Sequence, residues 1–209
     1  MNALAGLYGI TDGAPLPKLL SSVEAAIRGG TRLIQYREKS ADLARRNAEA
    51  GALHELCLGH GVLLIINDDV KLAAAIGADG VHLGRDDGRV DAARVQLGPR
   101  AVIGVSCYDS LERALQAAHE GADYVAFGSF FASASKPAAV RAPLSLLQEA
   151  RAKLGIPICA IGGVTPANGG ELVKSGADIL AVIQGLFGAA DVQAAAEEYS
   201  NLFAEKKAQ

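Results

Sequence analysis

A chain of 209 residues, 50% hydrophobic and 5% aromatic, can bury a sizeable aliphatic core, which excludes disorder. A net charge of −3 with both signs interspersed leaves no broad positive field for nucleic acid or an anionic membrane surface. Cys57, Cys107 and Cys159 stand apart in apolar surroundings and fit neither a disulfide framework nor a zinc spacing. No apolar run is long enough to span a bilayer, and the start "MNALAGLYGITDG" lacks a basic leader, so a reducing cytoplasm is expected.

In chain order, a first strand is predicted over Leu4 to Ile10, followed by the amphipathic stretch "LPKLLSSVEAAIRGG". A second, Arg32 to Tyr36, runs into "QYREK", where Gln35, Arg37 and Lys39 alternate and can point the same way. The third, Val62 to Ile66, ends at "NDD", and the fourth, Gly80 to Leu83, ends at "GRDD". A fifth covers Val102 to Val105 with Ser106 just beyond it. A sixth, Tyr124 to Phe127, opens into the loop "GSFFASASKPAAVRAP", which carries Lys136 before a proline. The seventh, Ile158 to Ile161, meets "IGGVTPAN", and the eighth, Ile179 to Val182, meets "VIQGLFG". One phrase recurs at the helix-to-strand joints: "IGADGV" from Ile76, "EGADYV" from Glu120 and "SGADIL" from Ser175. Its glycine can end a helix in the left-handed conformation before an acidic turn into a buried strand.

Eight strands in strict alternation with helices predict a single (β/α)8 TIM barrel over residues 1–209. An open doubly wound sheet would need a glycine-rich fingerprint after its first strand, and "GITDGAPLPK" does not supply one. In such a barrel the residues just past each strand share one site. Neighbouring strand ends lie about 5 Å apart, so Asp68 and Asp87 can converge on one hard cation, and two carboxylates completed by water and phosphate oxygens suit Mg2+. Asp69 reads instead as a helix cap. The loop with Lys136 can bring a cation over an anionic leaving group, and Gly162 and Gly163 let bare backbone N–H groups approach a phosphate. The four histidines show no paired ligand spacing and read as structural. A site with cations, metal acids and a phosphate nest, but no nucleophile, suggests departure of pyrophosphate under electrostatic stabilisation.

"QYREK", "NDDVKLAAAIGADGVHLGRDD", "IGVSCYD", the "SASK" loop and "AIGGVTPAN", in this order, resemble the thiamine-phosphate synthase family. The resemblance implies a transferase that joins 4-amino-2-methyl-5-hydroxymethylpyrimidine diphosphate to 4-methyl-5-(2-phosphoethyl)thiazole, giving thiamine monophosphate and pyrophosphate with Mg2+. It implies that Gln35, Arg37, Lys39, Asn67, Ser106 and Lys136 hold the pyrimidine diphosphate, with Arg37, Lys39 and Lys136 serving the chemistry. Asp68 and Asp87 would hold the metal, and Ser133, Ser135, Gly163, Ile183 and Gln184 would surround the thiazole phosphate. The chain departs from the family pattern where Ala132 to Ser135 replace Pro-Thr-x-Thr and where Gln184 and Gly185 replace Ser-Ala. Two rival readings are a thiazole tautomerase of the same barrel family and a noncatalytic barrel that binds a phosphate ligand. The partners expected are small molecules, with no nucleic acid or membrane, and the oligomeric state stays open.

Overall fold

A computed structural model describes residues 4–132 and 140–204. Strands β1 (Gly6–Ile10), β2 (Leu33–Tyr36), β3 (Leu63–Asn67), β4 (Gly80–Leu83), β5 (Val102–Tyr108), β6 (Tyr124–Phe127), β7 (Ile158–Ile161) and β8 (Ile179–Val182) pair in parallel and close into a barrel in sequence order. Around it run α1 (Leu16–Arg28), α2 (Leu43–His60), α3 (Val70–Ile76), α4 (Val90–Leu97), α5 (Leu111–His119), α6 (Ser145–Lys153), α7 (Pro166–Lys174), a single-turn α8 (Gln184–Phe187) and α9 (Val192–Asn201). The alternation expected from the sequence is present, with α8 as an extra turn between β8 and the last helix.

Two cores result from the two faces of the strands. The outer one packs alternate strand residues such as Leu7, Ile34, Leu64, Val81 and Val125 against the apolar faces of the helices. The inner one fills the barrel with Tyr8, Ile10, Leu33, Ile65, Tyr124, Ala126, Cys159, Ile179 and Ala181. Room for a tyrosine at the centre comes from Gly104, where an added Cβ would lie 2.0 Å from Cζ of Tyr124. Several helices start on a side-chain cap. Asp42, Asp69, Ser110, Thr165 and Asp191 each accept an otherwise unpaired first-turn N–H.

The recurring Gly-Ala-Asp phrase has a specific structural use at the base of the barrel. Its glycines, Gly77, Gly121 and Gly176, have positive φ of 70°, 94° and 119°. Each aspartate then reaches sideways to the odd-numbered strand before it. Asp79 accepts the N–H of Leu64 at 2.8 Å, Asp123 that of Ile103 at 2.7 Å, and Asp178 that of Ile158 at 3.0 Å. Arg94 from α4 pairs with Asp123 at 2.6 Å, and Arg151 from α6 pairs with Asp178. These carboxylates satisfy strand-end donors that would otherwise lack a partner.

Asp123→Ala is expected to lower stability by about 1–3 kcal/mol, because it strands the Ile103 N–H and one face of Arg94. The check is a urea melt with an earlier midpoint and unchanged m-value, beside an unchanged KM, since the residue lies at the end of the barrel away from the carboxyl ends of the strands.

Candidate active site

The carboxyl end of β2 is held from two sides. Thr11, at the end of β1, accepts the backbone N–H of Arg37 at 2.9 Å. Below it, buried Glu49 of α2 accepts from the Tyr36 hydroxyl at 2.7 Å and from Arg45 at 2.7 Å, and Arg45 also pairs with Glu38 at 3.0 Å. This brace fixes the path of "QYREK". Gln35 points into the barrel and is 2% exposed, Arg37 is partly buried, and Lys39 is exposed at the rim. The three therefore spread from the barrel interior outward to the rim.

At the ends of β3 and β4 the two acids meet. Asp68 has a φ of 63°, a conformation that only a few non-glycine residues adopt and that clusters at functional sites. Its neighbour Asp69 caps α3 through the Leu72 N–H at 2.9 Å and pairs with Arg46 at 2.7 Å, as the cap reading expected. Asp87 accepts the Gly84 N–H at 2.8 Å, so it does cap its turn, and it also faces Asp68. Burial and the Asp87 carboxylate push the Asp68 carboxyl up to about 6, against the opposing pull of the Asn67 amide, which donates to it at 2.5 Å, and of Lys39. Lys39, Asn67, Asp68 and Asp87, with Arg46 and Lys71, line one cavity of about 610 Å³. A partly buried carboxylate held against a second, exposed one is a donor set that a divalent cation would satisfy. Among the described residues no third acidic, histidine or cysteine ligand joins them.

Ser106 lies within β5 rather than beyond it, because the strand continues to Tyr108 through an irregularity between Ser106 and Tyr108. Arg113 of α5 holds that stretch by donating to the Ser106 carbonyl at 2.8 Å. The Ser106 hydroxyl meets His82 Nε2 at 2.8 Å, and His82 Nδ1 meets the Tyr124 hydroxyl at 2.9 Å. From there the chain runs to the Tyr8 hydroxyl at 3.0 Å and ends on Nε2 of Gln35, 2.8 Å from Tyr8. Burial holds His82 neutral down to about pH 4 and raises both tyrosines well above the usual phenol range. Sequence reasoning identified the two ends of this chain and missed its middle. The available signal was the placement of Tyr8 and His82 at inward positions of strands whose other inward residues are small or aliphatic.

At the ends of β7 and β8, Gly163 has a φ of 62° and packs so closely that an added Cβ would lie 2.3 Å from the Ala132 carbonyl oxygen. Asn168, part of the α7 capping box, donates to the Gly163 carbonyl at 3.0 Å, and Tyr199 of α9 donates to the Val164 carbonyl at 2.9 Å. Ile183 caps the single turn of α8, and Gln184 is exposed with its side chain folded back toward Gly188. In barrels of this kind the loops after the seventh and eighth strands and a short extra helix commonly form a phosphate site. Ser133, Ser135 and Lys136 lie outside the described residues.

A closed parallel barrel whose polar side chains converge at the carboxyl ends of its strands defines the class of (β/α)8 barrel enzymes. Comparison with known proteins narrows this. The family model for thiamine monophosphate synthase matches residues 7–186. A thiamine-phosphate synthase of Azoarcus sp. is 56% identical over 96% of this chain and 98% of its own. That of Methylococcus capsulatus is 54% identical over 95% of this chain and 89% of its own. The solved thiamine phosphate pyrophosphorylase of Pyrococcus furiosus superposes with a TM-score of 0.87 at 37% identity, covering 98% of this chain and 97% of that one. The chain belongs to the thiamine monophosphate synthase family.

The raised Asp68 carboxyl makes a linkage prediction. Its folded pKa exceeds the unfolded value, so the stability it contributes is full below the unfolded value and lost as pH rises through about 6. Asp68→Asn, which tolerates the same backbone conformation, should therefore raise the melting temperature of the metal-free protein at pH 8 by roughly 1–3 °C, a modest figure because solvent still screens a half-buried group. Millimolar Mg2+ is expected to stabilise the parent at pH 8 and not this variant. Thermal melts at pH 5 and 8, with and without Mg2+, check both effects.

Proposed function

We propose that this chain is a thiamine-phosphate synthase that condenses 4-amino-2-methyl-5-hydroxymethylpyrimidine diphosphate with 4-methyl-5-(2-phosphoethyl)thiazole, releasing pyrophosphate. The observation that carries the reading beyond family membership is the cavity in which Lys39 and Asn67 stand over the facing carboxylates of Asp68 and Asp87. Asp68 and Asp87 would hold Mg2+, which when bound supplies Lewis-acid neutralisation of a diphosphate.

Lys39, Arg37 and Asn67 bind and orient the diphosphate, and Lys136 adds a positive charge as the leaving group departs. Gln35 and Ser106, deep in the barrel, hold the pyrimidine ring. The electron-rich aminopyrimidine supports positive charge at its methylene, and the thiazole nitrogen attacks there. Gly163, with the backbone at Ile183 and Gln184, receives the thiazole phosphate, and the family resemblance would assign Ser133 and Ser135 to the same ligand. The chief task of the surrounding walls is to keep water away from the methylene until the thiazole is seated.

The tautomerase and noncatalytic readings draw no support from the relatives compared, which are named as synthases. A tautomerase also has no use for Arg37, Lys39, Asp68 and Asp87 as a set. A reducing, cytoplasmic setting fits the three free, buried thiols, and no helix among the described residues is long and apolar enough to cross a membrane.

Pyrophosphate and thiamine monophosphate should form in equal amounts, only with a divalent cation present. Asp87→Ala should cut kcat by about 100-fold or more, with partial recovery at high Mg2+. Full activity of that variant at low Mg2+ would remove the metal assignment. Conversion of one thiazole phosphate isomer into another without pyrophosphate release would replace the synthase with the tautomerase.

A further inference from the structure

The chain of hydrogen bonds across the barrel can be followed proton by proton. Gln35 turns its amide nitrogen toward Tyr8 and so donates to it. Tyr8 has one hydroxyl proton and passes it to Tyr124, and Tyr124 passes its own to Nδ1 of His82. A neutral imidazole has one ring proton, which must then sit on Nε2 and point at Ser106 Oγ. Ser106 accepts it, which frees its own hydroxyl proton for a ligand. With the Gln35 amide nitrogen on Tyr8, any other assignment of these links leaves a buried hydroxyl proton or a buried ring nitrogen without its partner; the reverse order requires the amide to turn its oxygen to Tyr8. All five groups lie in or beside the barrel interior, and burial keeps His82 neutral.

We propose that Tyr8, Tyr124 and His82 are positioning residues that fix the polarity of the two ends, making Ser106 a donor and the Gln35 carbonyl an acceptor, and so select an aminopyrimidine over its oxo counterpart. The identity of the ligand rests on the function proposed above. An aminopyrimidine offers a ring nitrogen that accepts and an amino group that donates, which complements the two ends. A 4-oxo pyrimidine offers a ring N–H and a carbonyl, the reverse pattern. To receive it, Ser106 would have to surrender its donor role and the Gln35 amide would have to turn, which the links through Tyr8, Tyr124 and His82 oppose.

The test has two independent readouts. Nitrogen-15 NMR of histidine-labelled, ligand-free protein reports the His82 tautomer without reference to any substrate. The expected result is a protonated Nε2 and an unprotonated Nδ1, with the preference lost in Tyr124→Phe. A protonated Nδ1 in the parent would reverse the polarity and overturn the inference. Calorimetric binding of the pyrimidine diphosphate and of its 4-oxo analogue, without the thiazole partner, then measures selection apart from chemistry. The parent should favour the amino compound by about 100-fold, roughly tenfold for each mispaired group. That ratio should fall to about tenfold or less in Tyr124→Phe, which frees the imidazole. It should fall by a similar factor in Tyr8→Phe, which frees only the Gln35 amide and guards against a folding defect in the first variant. A ratio unchanged in both variants overturns the proposal even if activity drops. Binding of neither compound, with the expected His82 tautomer present, would overturn the assigned ligand and the selection with it, a failure distinct from a reversed chain.

Discussion

Eight strands closed on themselves enclose a volume that side chains must fill, and this chain fills its centre with two tyrosine rings. Each ring brings a hydroxyl to a place that water does not reach, where an unpaired donor is costly. Tyr8 and Tyr124 satisfy each other at 3.0 Å, and each then needs one more partner, which Gln35 and His82 provide. The arrangement of the deep polar groups therefore follows from the packing of the barrel. A purely aliphatic filling would have left Gln35 and Ser106 as unrelated side chains on opposite walls.

Nearer the solvent the reasoning reverses, because the site contains an arrangement that folding alone would avoid. Asp68 is placed in an uncommon backbone conformation, partly desolvated and set against a second carboxylate. The neighbouring acid shows the contrast. Asp69 has a cap and an arginine partner and serves the fold, whereas among the described residues Asp68 has the Asn67 amide and the more distant charge of Lys39 to favour its ionised form. A backbone conformation of this kind, beside an ordinary cap, is one that clusters at functional sites, which is consistent with the ligand role proposed for Asp68.

Much of this was legible in the sequence, for identifiable reasons. The strands Gly80–Leu83, Tyr124–Phe127, Ile158–Ile161 and Ile179–Val182 stand where the apolar runs placed them, because the Gly-Ala-Asp joint marks where three of them begin and Pro157 precedes the other. The approach of Asp68 to Asp87 was also readable, since it depends only on β3 and β4 being neighbours. The extension of β5 to Tyr108 was not, because it depends on a local irregularity in its pairing with β6. Nor was the link between Tyr8 and Tyr124. They are separated by 116 residues, and only closure of the barrel brings their rings together.

The aspartate stitches at the base have a consequence for how the barrel is divided. Each joins an even strand to the odd one before it: β4 to β3, β6 to β5, β8 to β7. None of the three crosses from one such pair to the next. The repeating unit is therefore two strands with their helices, and at two of the seams between units the same carboxylates take a second contact, Asp123 from Arg94 of α4 and Asp178 from Arg151 of α6. A chain opened at one of those seams, with its old ends joined, would keep each stitched pair within one continuous segment, whereas an opening between β3 and β4, β5 and β6, or β7 and β8 would leave the carboxylate contact to bridge a broken connection. The phrase that recurs through the sequence thus marks the internal bond of three of the four strand pairs, and the β1–β2 pair, entered through Thr31 and Arg32, lacks it.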